Sequence, residues 1–286
     1  MMWIPLAFGV ALFDSLKNVL AKHTLKDIDE YTVAWANSFF SAIFLIPILF
    51  FELPEIKPMF FVGLIVSGTL NILALIFFMK SIKSGDLSNT VPLTTLSPLL
   101  LLITSPIIVG EFPSFQGMLG MIAIVVGAYL LNFKQDQKDF LSPFRSIFKE
   151  KGPRYMLLVV LIWAITANFD KIGVVNSSPL FYSFSVQLYI GVLMLTVVIP
   201  RFVRNPNPIN RNLKSLIGVG FLSTLTIICH MLAISLTIVP YVISIKRTNS
   251  ILSVVFGRLF FKEGYMKERF SAAVLMFIGV LLITFS

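Results

Sequence analysis

Residues 240–263 read PYVISIKRTNSILSVVFGRLFFKE, an apolar stretch that is long enough to cross a bilayer and yet contains Lys246 beside Arg247. The two residues stand about two turns inside the start of the predicted helix. On translocon scales, each Lys or Arg at a helix centre costs roughly 2.5 to 3.5 kcal/mol. The pair therefore predicts a functional site within the membrane, or else two side chains that reach back past Pro240 to the lipid headgroups.

The whole chain has the composition of a polytopic membrane protein. Of its 286 residues, 57% are hydrophobic and 13% are charged, and the mean hydropathy is +0.89. These values exclude an ordinary soluble domain. The net charge of +9 does not indicate nucleic-acid binding, because the basic residues lie mainly in loops between apolar segments. We therefore expect the lipid bilayer, and not nucleic acid, as a partner. A small-molecule substrate is the second expected partner, and monomer or homodimer stays open.

The apolar segments predict ten helices, each near the roughly 20 residues that cross the hydrocarbon core of a bilayer. The first segment contains Asp14 and Lys17 and has neither a basic leader nor a cleavage motif, so we expect it to be retained. Prolines and charged runs separate the segments. The predicted helices cover residues 2–21, 32–51, 58–79, 87–109, 113–133, 154–175, 179–200, 213–235, 238–261 and 268–285.

The two halves of the chain share landmarks in the same order. Glu111 and Glu263 close the fourth and ninth predicted helices, and Pro47 and Pro200 end the second and seventh. We therefore predict repeats at 1–133 and 154–286, joined by a basic linker at 134–153. Because each repeat has an odd number of helices, the second enters from the opposite side. The predicted fold is an all-α integral membrane protein with ten transmembrane helices as two inverted five-helix repeats.

The sequence also resembles a known family. VPLTTLSPLLLLITSPIIVGE and then GMLGMIAIVVGAYLL in the first half, and VPYVISIKRTNSILSVVFGRLFFKE in the second, resemble the drug/metabolite transporter superfamily, in particular its EamA-type ten-helix members. The Lys246–Arg247 pair is similar to the pair that sugar-phosphate translocators place in their ninth helix to hold phosphate. The resemblance implies a transporter without a cofactor, in the plasma (inner) membrane.

Lys and Arg are distributed very unequally between the loops. The loops after helices 1, 3, 5, 7 and 9 contain 17 of them, and the even-numbered loops contain one, Lys57. The positive-inside rule therefore places the odd-numbered loops in the cytoplasm and both termini outside. The family resemblance implies the opposite orientation, with both termini inside.

Eleven residues are candidates for binding the substrate, chosen as polar groups within apolar helices or as their repeat partners. Arg247 offers a planar fork for a carboxylate or phosphate, and Lys246 a compact charge. Thr94 and Thr95 align with this pair at an offset of 152 residues. The full set is Asp14, Lys17, Thr94, Thr95, Asn168, Lys171, His230, Tyr241, Lys246, Arg247 and Asn249.

Several of these candidates also have simpler explanations. Lys17 and Lys171 lie about one turn from predicted helix ends and are as well placed to reach the headgroups as to bind a ligand. Asn168 is the repeat partner of Asp14, and either side chain is suited to bonding a neighbouring helix. His230 is either a buried histidine or a proton relay.

No metal-ligand cluster, nucleophile elbow or phosphate-binding loop occurs in the sequence, which argues against an enzyme. The leading hypothesis is a secondary transporter that moves a small, anionic metabolite by alternating access. The second is an exporter of amino acids or drug-like compounds, with Lys246 and Arg247 pairing with Asp14 or Asp170 as a gate. The third, of another class, is a membrane scaffold or sensor. Glu111 and Glu263 are predicted interface anchors.

Overall fold

The computed structural model describes residues 2–50, 53–84, 91–132, 150–204, 207–249, 251 and 266–286. Within these ranges the chain forms helices and no β-strand. Six of the described helices are long and apolar enough to cross a membrane. They are Trp3–Thr24, Glu30–Phe50, Met59–Ser84, Lys151–Val175, Pro179–Arg204 and Leu213–Leu236.

The described residues of the first half form five α-helices. They are α1 (Trp3–Thr24), α2 (Glu30–Leu45), α3 (Met59–Ser84), α4 (Ser97–Ile108) and α5 (Phe115–Asn132). A 3-10 segment, Ile46–Phe50, extends α2, and another, Val91–Leu96, leads into α4.

The second half follows the same order. Its helices are α6 (Lys151–Val175), α7 (Pro179–Arg204), α8 (Leu213–Leu236), α9 (Val239–Lys246) and α10 (Met266–Thr284), with a single helical turn at Asn207–Arg211 before α8. The end of the predicted ninth helix, including Glu263, and most of the predicted linker at 134–153 lie outside the described residues.

Local chemistry accounts for several helix ends. The Asp29 side chain caps α2 by accepting hydrogen bonds from the backbone N–H groups of Tyr31 and Thr32 at 3.0 and 3.1 Å. After α4, Gly110 adopts a φ of +75°, and its N–H donates to the Ser105 carbonyl at 3.0 Å. Glycine is the residue that adopts this left-handed conformation without strain, so α4 stops here.

Several predicted helix ends were wrong. α3 continues to Ser84, beyond the predicted end at residue 79, and α4 begins at Ser97 after a 3-10 segment, rather than at residue 87.

Pro200 does not end α7, which continues to Arg204. A proline inside a helix removes one backbone hydrogen bond, here the one to the Thr196 carbonyl. One residue further, the Arg201 guanidinium donates to the Val197 carbonyl. Likewise, α1 continues to Thr24, so Lys17 lies about two turns from the helix end, rather than about one.

The predicted ninth helix is not regular at the basic pair. The α-helix ends at Lys246, and Arg247 is its C-cap. The N–H groups of Arg247 and Thr248 donate to the carbonyls three residues earlier, Ser244 and Ile245, at 3.0 and 2.9 Å. This tightening to a 3-10 pattern places an irregular backbone beside the two charges. Irregular backbone within a membrane is tolerated where it lines a cavity or is buried in protein.

The helices pack in matching pairs from the two halves. α3 packs on α6, and α8 packs on α1; α4 contacts α6, and α9 contacts α1. Likewise α2 contacts α8, and α7 contacts α3. Helices at corresponding positions of the two halves also contact each other, in the pairs α2–α7, α4–α9 and α5–α10. This packing surrounds a central space between the two halves.

Candidate functional site

A cavity of about 140 Å³ lies between the two halves. Helices α1, α2, α3, α4, α6, α7, α8 and α9 contribute side chains to it. Its polar and aromatic lining includes Asp14, Lys17, Asn37, Asn71, Ser97, Trp163, Thr166, Asp170, Gln187, Ser223, Thr226, His230, Lys246 and Arg247. Five charged side chains therefore share one space among apolar helices, where unpaired charges are costly.

Asp14 on α1 is the acidic partner of two lysines. Its Oδ1 lies 2.8 Å from Lys17 Nζ, and its Oδ2 lies 3.8 Å from Lys246 Nζ. Lys246 Nζ also stands 5.6 Å from the centre of the Trp163 ring, within reach of a cation–π interaction. One carboxylate is thus shared between two ammonium groups, which leaves this part of the cavity positive.

Arg247 is only 3% exposed, yet it makes no ion pair with a carboxylate among the described residues. Its Nε and one terminal nitrogen both donate to Ser97 Oγ on α4, at 3.0 and 2.5 Å. A guanidinium has five N–H donors, and a hydroxyl acceptor does not neutralise its charge. The arrangement leaves a buried cation at the cavity wall.

Asp170 on α6 has a different environment. Ser67 Oγ on α3 and Tyr182 Oη on α7 both donate to its Oδ1, at 2.5 and 3.0 Å. The carboxyl group is 7% exposed and has no ion pair in the part of the chain that the structure describes. Asp14 is neutralised by cations, whereas Asp170 is solvated by neutral hydroxyl groups.

Two further cavity groups have buried polar atoms that lack a partner. The Nδ1 atom of His230 and the Oδ1 atom of Asn37 have no hydrogen-bond partner among the described residues. Such atoms are rare in folded proteins and call for an explanation. Both side chains line the cavity.

Lys171 lies outside the cavity lining. Its Nζ is 3.1 Å from Glu111 Oε1 and donates to the carbonyls of Ile234 and Thr237, at 2.5 and 2.8 Å. Glu111 Oε2 accepts the N–H of Val239 at 2.8 Å. This ion pair connects the ends of α4, α6, α8 and α9, and its contacts are those of an anchor between helices.

Four other candidates also lie away from the cavity lining. Asn168 Nδ2 donates to Thr104 Oγ1 at 3.1 Å, a bond between α6 and α4. Tyr241 Oη accepts a hydrogen bond from the Ser114 N–H at 3.1 Å, near the start of α5. Thr94 and Thr95 are buried in the 3-10 segment before α4.

The last candidate, Asn249, lies beyond the end of α9. Its backbone carbonyl accepts a 3.5 Å hydrogen bond from Ser15 Oγ on α1. The side chain is not among those that line the cavity.

The profile of the EamA-like transporter family matches residues 1–133 and 151–285. The chain belongs to the EamA-like transporter family. A relative from Archaeoglobus fulgidus, named as an uncharacterized transporter, is 19% identical over 295 residues, covering 99% of this chain and 98% of the relative. A solved crystal structure, 13% identical, matches with a TM-score of 0.73 over 99% of this chain and 97% of that one. At this identity the structure shows a shared fold only.

Family membership settles the broad class of this EamA-like protein. Members are transporters rather than enzymes, so the predicted transport class is confirmed. Family membership and the six membrane-competent helices in the described ranges together show that the chain is a multi-pass integral membrane protein.

Several cavity residues of this EamA-like transporter were not among the predicted site residues. Ser97, Asn37, Asn71 and Gln187 all line the cavity. A signal was available, because amide side chains in the middle of apolar helices are uncommon and face other protein groups. Asp170 was considered as a gate partner only. Its two hydroxyl donors come from α3 and α7, and sequence spacing does not predict such contacts.

Proposed function

We propose that this protein is a secondary transporter that moves a small anionic metabolite across the membrane by alternating access. The observation that carries the proposal is Arg247, a buried cation at the cavity wall whose described hydrogen bonds go to Ser97. A desolvated charge without a counter-ion is unfavourable. A carboxylate or phosphate that enters the cavity supplies the missing charge and two acceptors for the fork.

The balance of charge in the cavity supports an anion. Among its described lining residues, Lys17, Lys246 and Arg247 face two carboxylates, Asp14 and Asp170. Asp14 is already shared between the two lysines. The positive excess lies at Lys246 and Arg247, and an anionic substrate is complementary to it.

We propose ten membrane helices arranged as two inverted five-helix repeats, 1–133 and 154–286, with a linker at 134–153 between them. Two observations support the repeats. The family profile matches the chain twice, once in each half. In addition, the contacts between helices keep the same pattern when the halves are exchanged: α3–α6 corresponds to α8–α1, and α4–α6 to α9–α1.

Alternating access requires one end of the cavity to open while the other closes. The Glu111–Lys171 ion pair joins α4 and α6, and both side chains also bond to α8 or the start of α9. These contacts fit a closed end in this conformation. In the proposed cycle the pair separates when this end opens.

The substrate class can be tested by measuring the thermal stability of the purified protein with sugar phosphates, nucleotides, organic acids and amino acids. A ligand at about 100 times its dissociation constant adds about 2.7 kcal/mol to the free energy of unfolding. We expect anions to stabilise the wild type equally with an Arg204→Gln control, which removes an exposed basic residue at the end of α7. Arg247→Gln should gain at most about half of this stabilisation, because a tenfold loss of affinity leaves about 1.4 kcal/mol at the same ligand concentration. Stabilisation by neutral or cationic compounds alone would contradict an anionic substrate.

The ion pair between Lys246 and Asp14 favours a second candidate function. Here the basic pair is a structural gate, and the protein exports amino acids or drug-like compounds. The same screen separates the two functions, because this candidate predicts stabilisation by those compounds that persists in Arg247→Gln.

A further inference from the structure

Asp170 is a charged cavity group that neither belongs to the proposed anion site nor pairs with a cation among the described residues. Ser67 and Tyr182, the neutral groups that bond to it, come from α3 and α7. The ammonium of Lys246 on α9 pairs instead with Asp14 on α1. Asp170 is therefore a buried carboxyl group held by donors that carry no charge.

Other charged and titratable groups face Asp170 across the cavity. They are Asp14 and Lys17 on α1, His230 on α8, Lys246 on α9 and Arg247 at its end. The next residue on α6, Lys171, pairs with Glu111, which lies just beyond the end of α4. Asn71 on α3 is neutral and donates to Ser67 Oγ at 2.9 Å.

The hydrogen bonds around Asp170 accommodate two protonation states. Tyr182 Oη has one hydrogen but two acceptors within reach, Asp170 Oδ1 at 3.0 Å and the Gly63 carbonyl at 3.1 Å. An ionised Asp170 takes this hydrogen, whereas with a neutral Asp170 the hydroxyl can donate to Gly63 on α3. A proton on Asp170 thus changes which helix Tyr182 bonds to.

We propose that Asp170 is a proton-binding site coupled to anion binding at Lys246 and Arg247, so that a proton and the substrate anion occupy the cavity together. An ionised Asp170 repels an anion in the same small, poorly solvated space, and a proton removes that repulsion. By linkage, a bound anion strengthens proton binding by the same factor. The proton comes from water, adds to a carboxylate oxygen and leaves to water, with no other bond changed. The anion half of this proposal rests on the proposed function.

A proton suits this position better than a metal cation. Metal ions such as Na⁺ or Ca²⁺ need several oxygen lone pairs directed at them. Here the two hydroxyl groups are hydrogen-bond donors to an ionised Asp170, and the Ser67 oxygen already accepts a hydrogen bond from Asn71. The described residues also contain no group of three or more His, Cys, Asp or Glu side chains suited to a metal ion.

Infrared difference spectroscopy of the purified protein during a pH titration tests the proton site without any ligand. We expect the C=O band of a protonated carboxylic acid to titrate between mildly acidic and alkaline pH in the wild type and in Asp27→Asn, a control at an exposed residue. Asp170→Asn, which keeps an acceptor for Ser67 and Tyr182, should lack that band. Tyr182→Phe, which removes a donor to the carboxylate, should show it at higher pH. An identical titration in Asp170→Asn and wild type would overturn the proton site.

The coupling has its own test, in which inorganic sulfate is the probe because its charge is constant over this pH range. Sulfate should bind the wild type about tenfold more tightly at mildly acidic than at alkaline pH, within the usual range of coupling between sites. Asp170→Asn should remove most of this difference, whereas His230→Gln should keep it. A pH dependence that follows His230 instead, or no sulfate binding at either pH, would overturn the coupling. The infrared result would still decide the proton site.

Discussion

Arg247 shows how a single residue sets the chemistry of the cavity. Its guanidinium is 3% exposed and contacts Ser97 Oγ through two nitrogens. A hydroxyl oxygen satisfies donors but supplies no negative charge. Lys246, the neighbouring residue, shares the carboxylate of Asp14. The two adjacent cations therefore differ in their counter-ions: Lys246 has a carboxylate partner, whereas the described partner of Arg247 is a neutral hydroxyl group, so an anion would stabilise Arg247 more.

We predict that Arg247→Gln weakens binding of the anionic substrate by at least about tenfold, or about 1.5 kcal/mol, the lower range for a hydrogen bond to a charged group. Arg247→Lys should also weaken binding, although less, because lysine keeps the charge and loses the planar fork. Substrate affinity of the folded variants, measured by calorimetry, checks both. Normal binding by Arg247→Gln would show that the basic pair has a structural role and does not bind the substrate.

The sequence predicted the charged cavity residues better than the neutral ones. Lys246 and Arg247 were recognisable because charges inside an apolar helix are rare, and both line the cavity. Lys171 satisfied the same criterion, yet it pairs with Glu111 away from the cavity lining. Depth along a helix can be estimated from sequence, but the face that meets the cavity depends on how helices pack. Ser97 was missed for the same reason.

At the scale of elements, α3 and α6 approach each other tightly at two glycines, Gly63 and Gly173. A Cβ atom added to Gly63 would lie 2.7 Å from the Gly173 nitrogen and 2.8 Å from the Phe169 carbonyl oxygen. Both are backbone atoms and do not move independently of α6. This contact sets the distance between the helices that carry Ser67 and Asp170.

We predict that Gly63→Ala lowers the free energy of unfolding by about 1–3 kcal/mol, the usual range for overpacking. Gly218→Ala is a matched control on α8, where the new Cβ meets only Leu20 Cδ2, at 2.9 Å, the end of a flexible side chain. The control should be neutral or slightly stabilising, since alanine favours a helix. Denaturant unfolding in detergent measures both, and equal stabilities would contradict the tight α3–α6 contact.

Helix positions followed from the sequence because hydropathy and helix length are set by the same bilayer. The end of the regular α-helix at Lys246 was not predicted from the sequence, although Lys246 and Arg247 were recognised as unusual residues in an apolar helix. Hydropathy reports the transfer of side chains into lipid, and it contains no information about backbone hydrogen bonds. The change to bonds between residues three apart at Arg247 and Thr248 therefore appears only in the structure.

At the scale of the whole molecule, the two halves form one cavity and contribute unequally to it. Asp14 and Lys17 come from the first half, whereas Asp170, Lys246 and Arg247 come from the second. The repeat predicted from shared landmarks pairs positions by their order in the chain. It does not predict that Lys17 enters the cavity while Lys171 is held by Glu111.

The charge of the loops predicts that the protein lies in the membrane with both termini outside. We expect Glu55→Cys, in the exposed loop before α3, to react with a membrane-impermeant thiol reagent on intact cells in a Cys229→Ser background. Ser84→Cys, exposed at the opposite end of α3, should react only after lysis. The reverse pattern would place both termini in the cytoplasm.

The central claim is that the Lys246–Arg247 cavity carries a small anion across the membrane. Its most direct test is counterflow in proteoliposomes, in which internal unlabelled anion drives uptake of the same labelled anion, chosen as the strongest stabiliser in the thermal screen. Wild type and Arg204→Gln should exchange the anion equally, and Arg247→Gln should retain about a tenth of that rate or less, matching its loss of affinity. Exchange by Arg247→Gln at the wild-type rate, or no exchange by the wild type, would contradict it.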